Sequence, residues 1–248
     1  MKIITWNCNM AFRKKAQLLL KYEPDIVIIP ECESPGKLKF DEATRKPNDI
    51  LWFGSNPNKG LGIFSYSHFR FKVARDHHTD IKTVVPVIVK GDTHDLRLYA
   101  IWANNPNDPD GQYVEQVWKA LHHYDKNLKR KRTMLIGDFN SNTIWDKKYR
   151  VGNHSHVVER LLKKNISSCY HLHHQQLQGK EKHPTFYLYN HKNKPYHLDY
   201  CFASKDMTDR IASVEIGKHK FWMRYSDHVP VIITFNDLNA GTGSSLSK

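Results

Sequence analysis

The sequence predicts an α/β protein, on three observations. Short apolar runs alternate along the chain with stretches whose apolar residues recur at helical spacing. Polar side chains recur where apolar runs end, at Asn7, Glu31, Asp138 and Asn140. With 248 residues, 40% hydrophobic and 25% charged, the chain can bury a substantial core and does not read as disordered.

The elements follow in order. The first strand covers about Lys2 to Asn7. A helix is expected from about Ala11 to Tyr22, because Phe12, Ala16, Leu19 and Leu20 share one helical face. Asn9 is its expected N-cap and Pro24 its stop. Asp25 to Pro30 is continuously apolar, the pattern of a buried strand, with Glu31 just past it. Leu51 to Gly54 and Leu61 to Tyr66 flank an Asn/Pro/Gly turn. Phe69 to Ala74, Val84 to Val89 and Leu96 to Ala103 read as further strands, followed by a polar loop from Asn104 to Gly111. A helix from about Gln112 to Leu128 places Tyr113, Val117, Leu121, Tyr124 and Leu128 on one stripe. Thr133 to Ile136 is a short buried strand that delivers Gly137-Asp138-Phe139-Asn140. His154 to Lys164 reads as a helix. Thr185 to Tyr189, His197 to Ala203, Ile211 to Ile216 and Val229 to Phe235 read as strands. No internal repeat or long linker interrupts this order, so residues 1–238 read as one domain. Residues 239–248 read as a flexible tail.

Lys+Arg number 38 against 25 Asp+Glu, a formal charge of +13 with 16 histidines besides. That balance points to an anionic partner. Four cysteines without a CxxC pair argue against a disulfide scaffold or a zinc ribbon and for reduced thiols. No apolar run reaches membrane-spanning length, and the N-terminus lacks the apolar core of a signal peptide. The expectation is an intracellular, cytoplasmic protein that neither spans a membrane nor requires a protein partner.

The strand-end residues suggest chemistry. Oxygen donors at Glu31, Asp227 and Asn7 suit a hard cation, Mg2+ or Mn2+. A nearby carboxylate, Asp138, could orient or deprotonate a water. His228 paired with Asp199 could contact a phosphate oxygen, and Asn140 could donate an amide hydrogen bond. Together these parts compose a metal-assisted phosphoester hydrolase. Singly, each has an ordinary structural reading: Asn7 caps a turn, Glu31 caps the next element, Gly-Asp-x-Asn makes a turn, and Asp-His lies on a surface. Their joint order carries the argument.

Thr5-Trp6-Asn7, Pro30-Glu31, Gly60-Leu-Gly-Ile-Phe-Ser65, Gly137-Asp-Phe-Asn140, His197-Leu-Asp199-Tyr200 and Ser226-Asp-His228-x-Pro230 stand in this order along the chain. They resemble the ordered motifs of the endonuclease/exonuclease/phosphatase superfamily. Its members include DNase I-like nucleases, AP endonucleases, deadenylases, inositol polyphosphate phosphatases and sphingomyelinases. The resemblance implies a four-layered α/β sandwich of two facing mixed sheets flanked by helices, with the site at one end. It implies Glu31 as main metal ligand with Asn7 and Asp227 nearby. It makes Asp138 the residue that activates water, and Asn140 and His228 phosphate contacts, with Asp199 holding His228. Asn7 stands near the phosphate as well.

One stretch departs from the pattern. Trp102-x-x-Asn105 has the spacing of the Tyr-x-x-Asn of AP endonuclease-like members, but an indole donates one N–H and cannot act as an acid. Trp102 therefore has a core reading and a substrate-facing one. Asn105 is a candidate phosphate contact. The basic run Lys126 to Arg132 reads as a solvated complement to a helix end, with a phosphate grip as the alternative, and the histidine pairs at 77–78, 122–123 and 173–174 as surface residues, with transition-metal binding as the alternative.

The leading expectation is a metal-dependent nuclease, with DNA favoured over RNA, working by direct water attack on phosphorus. A hydrolase of a small-molecule or lipid phosphoester shares the same chemistry. A non-catalytic binding module is a third class, disfavoured because every site residue is present.

Overall fold

Twelve of the fourteen strands sort into two six-stranded sheets that share one apolar interior, and the other two pair as a small hairpin-like sheet, in a computed structural model, which describes residues 1–104 and 112–236. In chain order the strands are β1 Lys2–Thr5, β2 Ile26–Cys32, β3 Asp49–Asn56, β4 Lys59–Ser65, β5 Arg70–Val73, β6 Val84–Lys90 and β7 Leu96–Trp102. They continue as β8 Thr133–Asp138, β9 Ile166–Ser168, β10 Phe186–Tyr187, β11 Pro195–Tyr196, β12 Asp199–Ser204, β13 Ile211–Ile216 and β14 Val231–Phe235. The helices are α1 Ala16–Leu20, α2 Val114–His123, α3 His154–Leu162, α4 Cys169–His174, α5 Lys205–Thr208 and α6 His219–Trp222. One sheet has the order β13-β14-β1-β2-β4-β3 and the other β5-β6-β7-β8-β12-β9. Both are mixed, because β1 runs parallel to β2 and β7 parallel to β8 while the other pairs are antiparallel.

Strand alternation builds the layers. Ile3, Ile28 and Ile63 of one sheet meet Leu98, Ala100 and Ile136 of the other in the central core. The intervening residues Tyr99, Ile101 and Leu135 face outward onto Val117 and Leu121 of α2 and Val157 and Leu161 of α3. On the far side Ile4, Val27 and Ile29 face Leu19 of α1 and Trp222 of α6. Helix, sheet, sheet and helix form the expected four-layered sandwich.

The same alternation positions the site. Leu98, Ala100 and Trp102 share the inter-sheet face of β7. Met134 and Ile136 set that parity for Asp138, and Cys201 and Ala203 set it for Asp199. Trp102, Asp138 and Asp199 also stand in register across β7, β8 and β12. Gly137 makes the approach possible. Its φ is +145°, and a Cβ there would lie 1.9 Å from the Ile101 carbonyl oxygen.

Several expected elements differ. The helix expected over Ala11–Tyr22 is a 3₁₀ turn at Phe12–Lys14 followed by the five-residue α1. Asn9, Met10 and Ala11 all have positive φ, so Asn9 is no N-cap. Glu33 caps instead, accepting from the Phe12 and Arg13 amides at 2.7 and 3.0 Å. The second helix stops at His123 and gives way to a 3₁₀ turn at Asn127–Lys129. Tyr113 lies outside it and is exposed. The strand expected over Thr185–Tyr189 shortens to β10, because Tyr189 and Asn190 turn the chain with positive φ. The strand expected from His197 begins at Asp199. The sequence reading missed β9, three residues long, and α4, whose Cys-Tyr-His-Leu-His-His lacks a helical apolar stripe.

All four cysteines are buried free thiols. No helix among the described residues is long and apolar enough to cross a membrane. Residues 239–248, the expected tail, lie outside the described residues.

Candidate active site

The site forms where β1, β2, β8 and β12 end together. Asn7 follows β1 and is buried. Its amide Nδ2 donates to Glu31 Oε1 at 3.3 Å and to Asp138 Oδ2 at 3.0 Å, so one side chain ties two carboxylates together. Its Oδ1 accepts from the Asn9 amide at 3.1 Å. Glu31 sits in a β-bulge, where the register slips between Pro30 and Cys32, and has φ 60°. The bulge turns its carboxylate toward this cluster.

Asp138 is fully buried. Its Oδ1 accepts from the Asn140 amide at 2.9 Å, and its Oδ2 accepts from Asn140 Nδ2 at 3.2 Å as well as from Asn7. Asn140 takes a left-handed φ of 47° and also donates to the Ala103 carbonyl at 3.1 Å. Burial pushes the Asp138 carboxyl above the usual carboxylate range, and the Asp199 charge adds to this.

His228 faces the same carboxylate, with Nε2 4.0 Å from Asp138 Oδ2. Its Nδ1 is 2.8 Å from Asp199 Oδ2. Burial alone would favour a neutral ring, but the charges of Asp199 and Asp138 outweigh it and raise His228 to about 10. The two carboxylates favour the charged form of the ring. Its carbonyl accepts from Trp6 Nε1 at 2.9 Å, its amide donates to Ser226 Oγ at 3.1 Å, and Phe186 packs on it at 4.7 Å. The amides of Leu198 and Asp199 both donate to Thr185 Oγ1, which fixes the strand end that carries Asp199.

Asp227 is half-buried; its carboxylate has a 3.4 Å contact from Ser226 Oγ, and its carbonyl accepts from the Tyr187 amide at 2.8 Å. Ser226 Oγ donates to the Asn7 carbonyl at 2.7 Å, and Lys15 Nζ donates to the Cys8 and Tyr225 carbonyls at 2.6 Å each. These bonds dock the Asp227 segment against the end of β1.

Two groups of residues could hold a cation. Asp138, Asp199 and His228 place ligand atoms within 4.8 Å of one another. A metal there would have to displace the His228–Asp199 bond and enter a fully buried position. Glu31 fits better. Its carboxylate is 18% exposed, and it already draws a positive charge, with Lys59 Nζ 3.2 Å from Oε2. Glu31, the carbonyl oxygen of Asn7 and Asp227 are all hard oxygen donors.

Seven of the eight residues expected at the site therefore gather at one end of the sandwich. The eighth, Asn105, lies outside the described residues. Lys59, Thr185, Ser226 and Trp6 were missed. Lys59 directly precedes the Gly60-Leu-Gly motif, and Ser226 lies inside the Ser-Asp-His motif, so each had a positional signal. The basic run Lys126–Arg132 precedes β8, whose other end carries Asp138, and so lies at the far end of the sandwich.

Residues 4–228 match the sequence profile of the Endonuclease/Exonuclease/phosphatase family. The chain belongs to this family. It is a phosphoric ester hydrolase. Its fold is shared by many solved structures, among them the following three. A 3′-5′ exonuclease from Neisseria meningitidis superposes with TM-score 0.70 at 21% identity, covering 95% of this chain and 100% of that one. A 3′ phosphatase from Neisseria bound to a product DNA hairpin gives 0.68 at 21%, covering 95% and 99%. An AP endonuclease from Archaeoglobus fulgidus gives 0.71 at 18%, covering 96% and 100%. No curated protein sequence matches the chain.

Proposed function

We propose that this family member hydrolyses phosphodiester bonds of nucleic acid, DNA in preference to RNA, with Mg2+ or Mn2+ as cofactor. The observation that carries the reading is the buried Asp138–His228–Asp199 constellation standing beside Glu31 through Asn7. The charge of +13 supports a polyanionic substrate. The similar Neisseria phosphatase, whose structure holds a DNA hairpin, supports DNA. The free thiols fit a reducing, cytoplasmic setting.

Glu31 would hold the divalent cation, with Asp227 and Asn7 beside it, and the cation would neutralise charge on the scissile phosphate. Asp138 takes the proton of the attacking water. Its raised pKa suits a base working near neutrality. Asn7 and Asn140 hold that carboxylate in place, and Asn140 orients the phosphate. His228, charged and anchored by Asp199, donates from Nε2 to a phosphate oxygen as negative charge grows there. The attack is direct: the Ser226 hydroxyl is committed to the Asn7 carbonyl, and the Cys8 thiol is buried against the Met10 and Glu31 carbonyls.

The test compares wild type with Asp138→Asn on plasmid DNA, single-stranded DNA and RNA, with Mg2+, Mn2+ or EDTA. Metal-dependent cleavage that the variant loses is expected. Metal binding without cleavage of any nucleic acid would overturn the nuclease reading in favour of a small-molecule or lipid phosphoester.

A further inference from the structure

A groove of about 650 Å3 adjoins the catalytic cluster. It runs between the β3–β4 hairpin and the segment 77–82, with Trp102 and Lys59 in its wall. Both connect it to the chemistry. Trp102 is in register with Asp138, and Lys59 Nζ lies 3.2 Å from Glu31 Oε2 and 5.6 Å from the centre of the Trp102 ring. The mechanism above uses none of the remaining wall.

That wall combines rings and positive charge. Trp52 is held by a 3.0 Å bond from Nε1 to the Cys32 carbonyl. Its ring lies against two backbone positions without side chains: a Cβ on Gly54 or Gly60 would come within 2.7 or 2.4 Å of it. Phe53 meets the edge of His77 at 5.8 Å. Lys59 and Lys82 are the charged side chains, and no carboxylate lines the groove among the described residues.

The wall also contains unsatisfied polar atoms. Trp102 Nε1 and His77 Nδ1 are buried without a hydrogen-bond partner among the described residues, and Trp102 is only 9% exposed. Buried polar atoms are nearly always paired, so two orphans in one groove beside a reaction centre indicate a ligand that supplies their partners.

We propose that this groove is the subsite for the nucleotide next to the scissile phosphate. Flat rings beside two ammonium groups match a nucleobase and its flanking phosphate, and the volume falls within the range of small-ligand clefts, about 300–1,000 Å3. The base stacks on the ring-lined wall. The flanking phosphate meets Lys82. Trp102 Nε1 donates to the incoming strand, and Lys59 leads it toward Glu31. A base must be unpaired to enter, so single-stranded segments and frayed ends are preferred over intact duplex. This rests on the nucleic-acid reading above and names the part of the substrate that the site selects.

The test uses Lys82→Glu, at an exposed position, and Trp102→Phe, which keeps a ring and removes the N–H. Each is assayed on a single-stranded oligonucleotide and on bis(p-nitrophenyl) phosphate, a diester without a base. For Lys82→Glu, KM on the oligonucleotide is expected to rise about tenfold, at least threefold more than on the small ester. Trp102→Phe is expected to change KM in the same direction and order. Equal changes on the two substrates, or none on the oligonucleotide while wild type cleaves it, would overturn the subsite alone. Failure of wild type to cleave any oligonucleotide would overturn the nuclease reading and the subsite with it. In an Asp138→Asn background, 2-aminopurine on one side of the scissile phosphate should be quenched on binding. Binding without quenching at either flank also counts against the subsite.

Discussion

His228 Nδ1 lies 2.8 Å from Asp199 Oδ2, and neither residue is more than 4% exposed. The bond fixes the ring so that Nε2 faces Asp138 and the substrate. It also supplies much of the charge that keeps the imidazole protonated. Asp199→Asn preserves the shape and removes the charge. The kcat is expected to fall about 100-fold or more, the scale of one acid–base group. By NMR titration His228 should move down from about 10 toward the ordinary histidine range. A variant with full kcat would show that the pair serves packing alone.

Asp138→Asn tests the base. The substitution removes a buried carboxylate that burial and Asp199 both oppose, which relieves the fold. It also gives the side chain an NH2 where Asp138 accepts from the Asn140 amide and from two Nδ2 groups. The two effects oppose each other. The expected net change in stability is under about 1 kcal/mol, a Tm shift of about 2–4 °C. Activity should fall about 1,000-fold. Calorimetry and a cleavage assay on one preparation separate the two. Retained activity would remove Asp138 from the reaction.

Which features were legible in the sequence follows from the range of the interactions that make them. Eleven of the twelve strands of the two large sheets were legible because a buried strand shows as a local apolar run, as in Ile26 to Ile29 or Leu96 to Ile101, whereas the three-residue β9 is too short to show one. The residues expected at the site could be named in advance because they sit at strand ends inside compact motifs, and seven of them lie together. The helix near residue 11 did not, because Glu33, 21 residues from Phe12, supplies its cap. The Lys59 contact to Glu31 was invisible for the same reason: a strand pairing brings together residues 28 apart. Trp102 had a core reading, which its place in the inter-sheet core bears out, and it also lines the adjoining groove, because a strand end can belong to both at once.

Lys59 and a dication would compete for Glu31. The ammonium lies 3.2 Å from Glu31 Oε2, on a carboxylate that remains partly open. Glu31→Gln is expected to weaken Mn2+ binding by about tenfold or more. Lys59→Met removes a like charge from beside the cation and should tighten Mn2+ binding several-fold, on the order of 1 kcal/mol near a surface. Titration calorimetry with Mn2+ alone measures both. Opposite signs would place the cation at Glu31. Unchanged affinity in Glu31→Gln would place it elsewhere.

Two buried histidines outside the Asp138–His228 pair also respond to pH. His154 and His197 are buried, and burial lowers each from 6.5 to about 4. Above about pH 6.5 both are neutral whether the chain is folded or not, and their full contribution is present. As pH falls below that value the unfolded chain binds protons that the folded chain refuses until about pH 4. Stability is therefore lost between these limits, by about 2 kcal/mol per histidine from about pH 7.5 to about pH 5. Glu181, held down to about 2 mainly by its 3.0 Å contact with His171 against the effect of burial, loses its contribution only below about pH 4.5. The catalytic pair acts in the opposite direction. Asp138 and His228 both have raised pKa values, so each contributes more to stability as pH falls through the same window. The wild-type curve alone mixes the two trends, and the difference from His154→Asn isolates one histidine. Urea unfolding at both pH values should show the variant relatively more stable at the lower pH by about 2 kcal/mol. A gap between wild type and variant that does not change with pH would mean that His154 takes up its proton without unfolding.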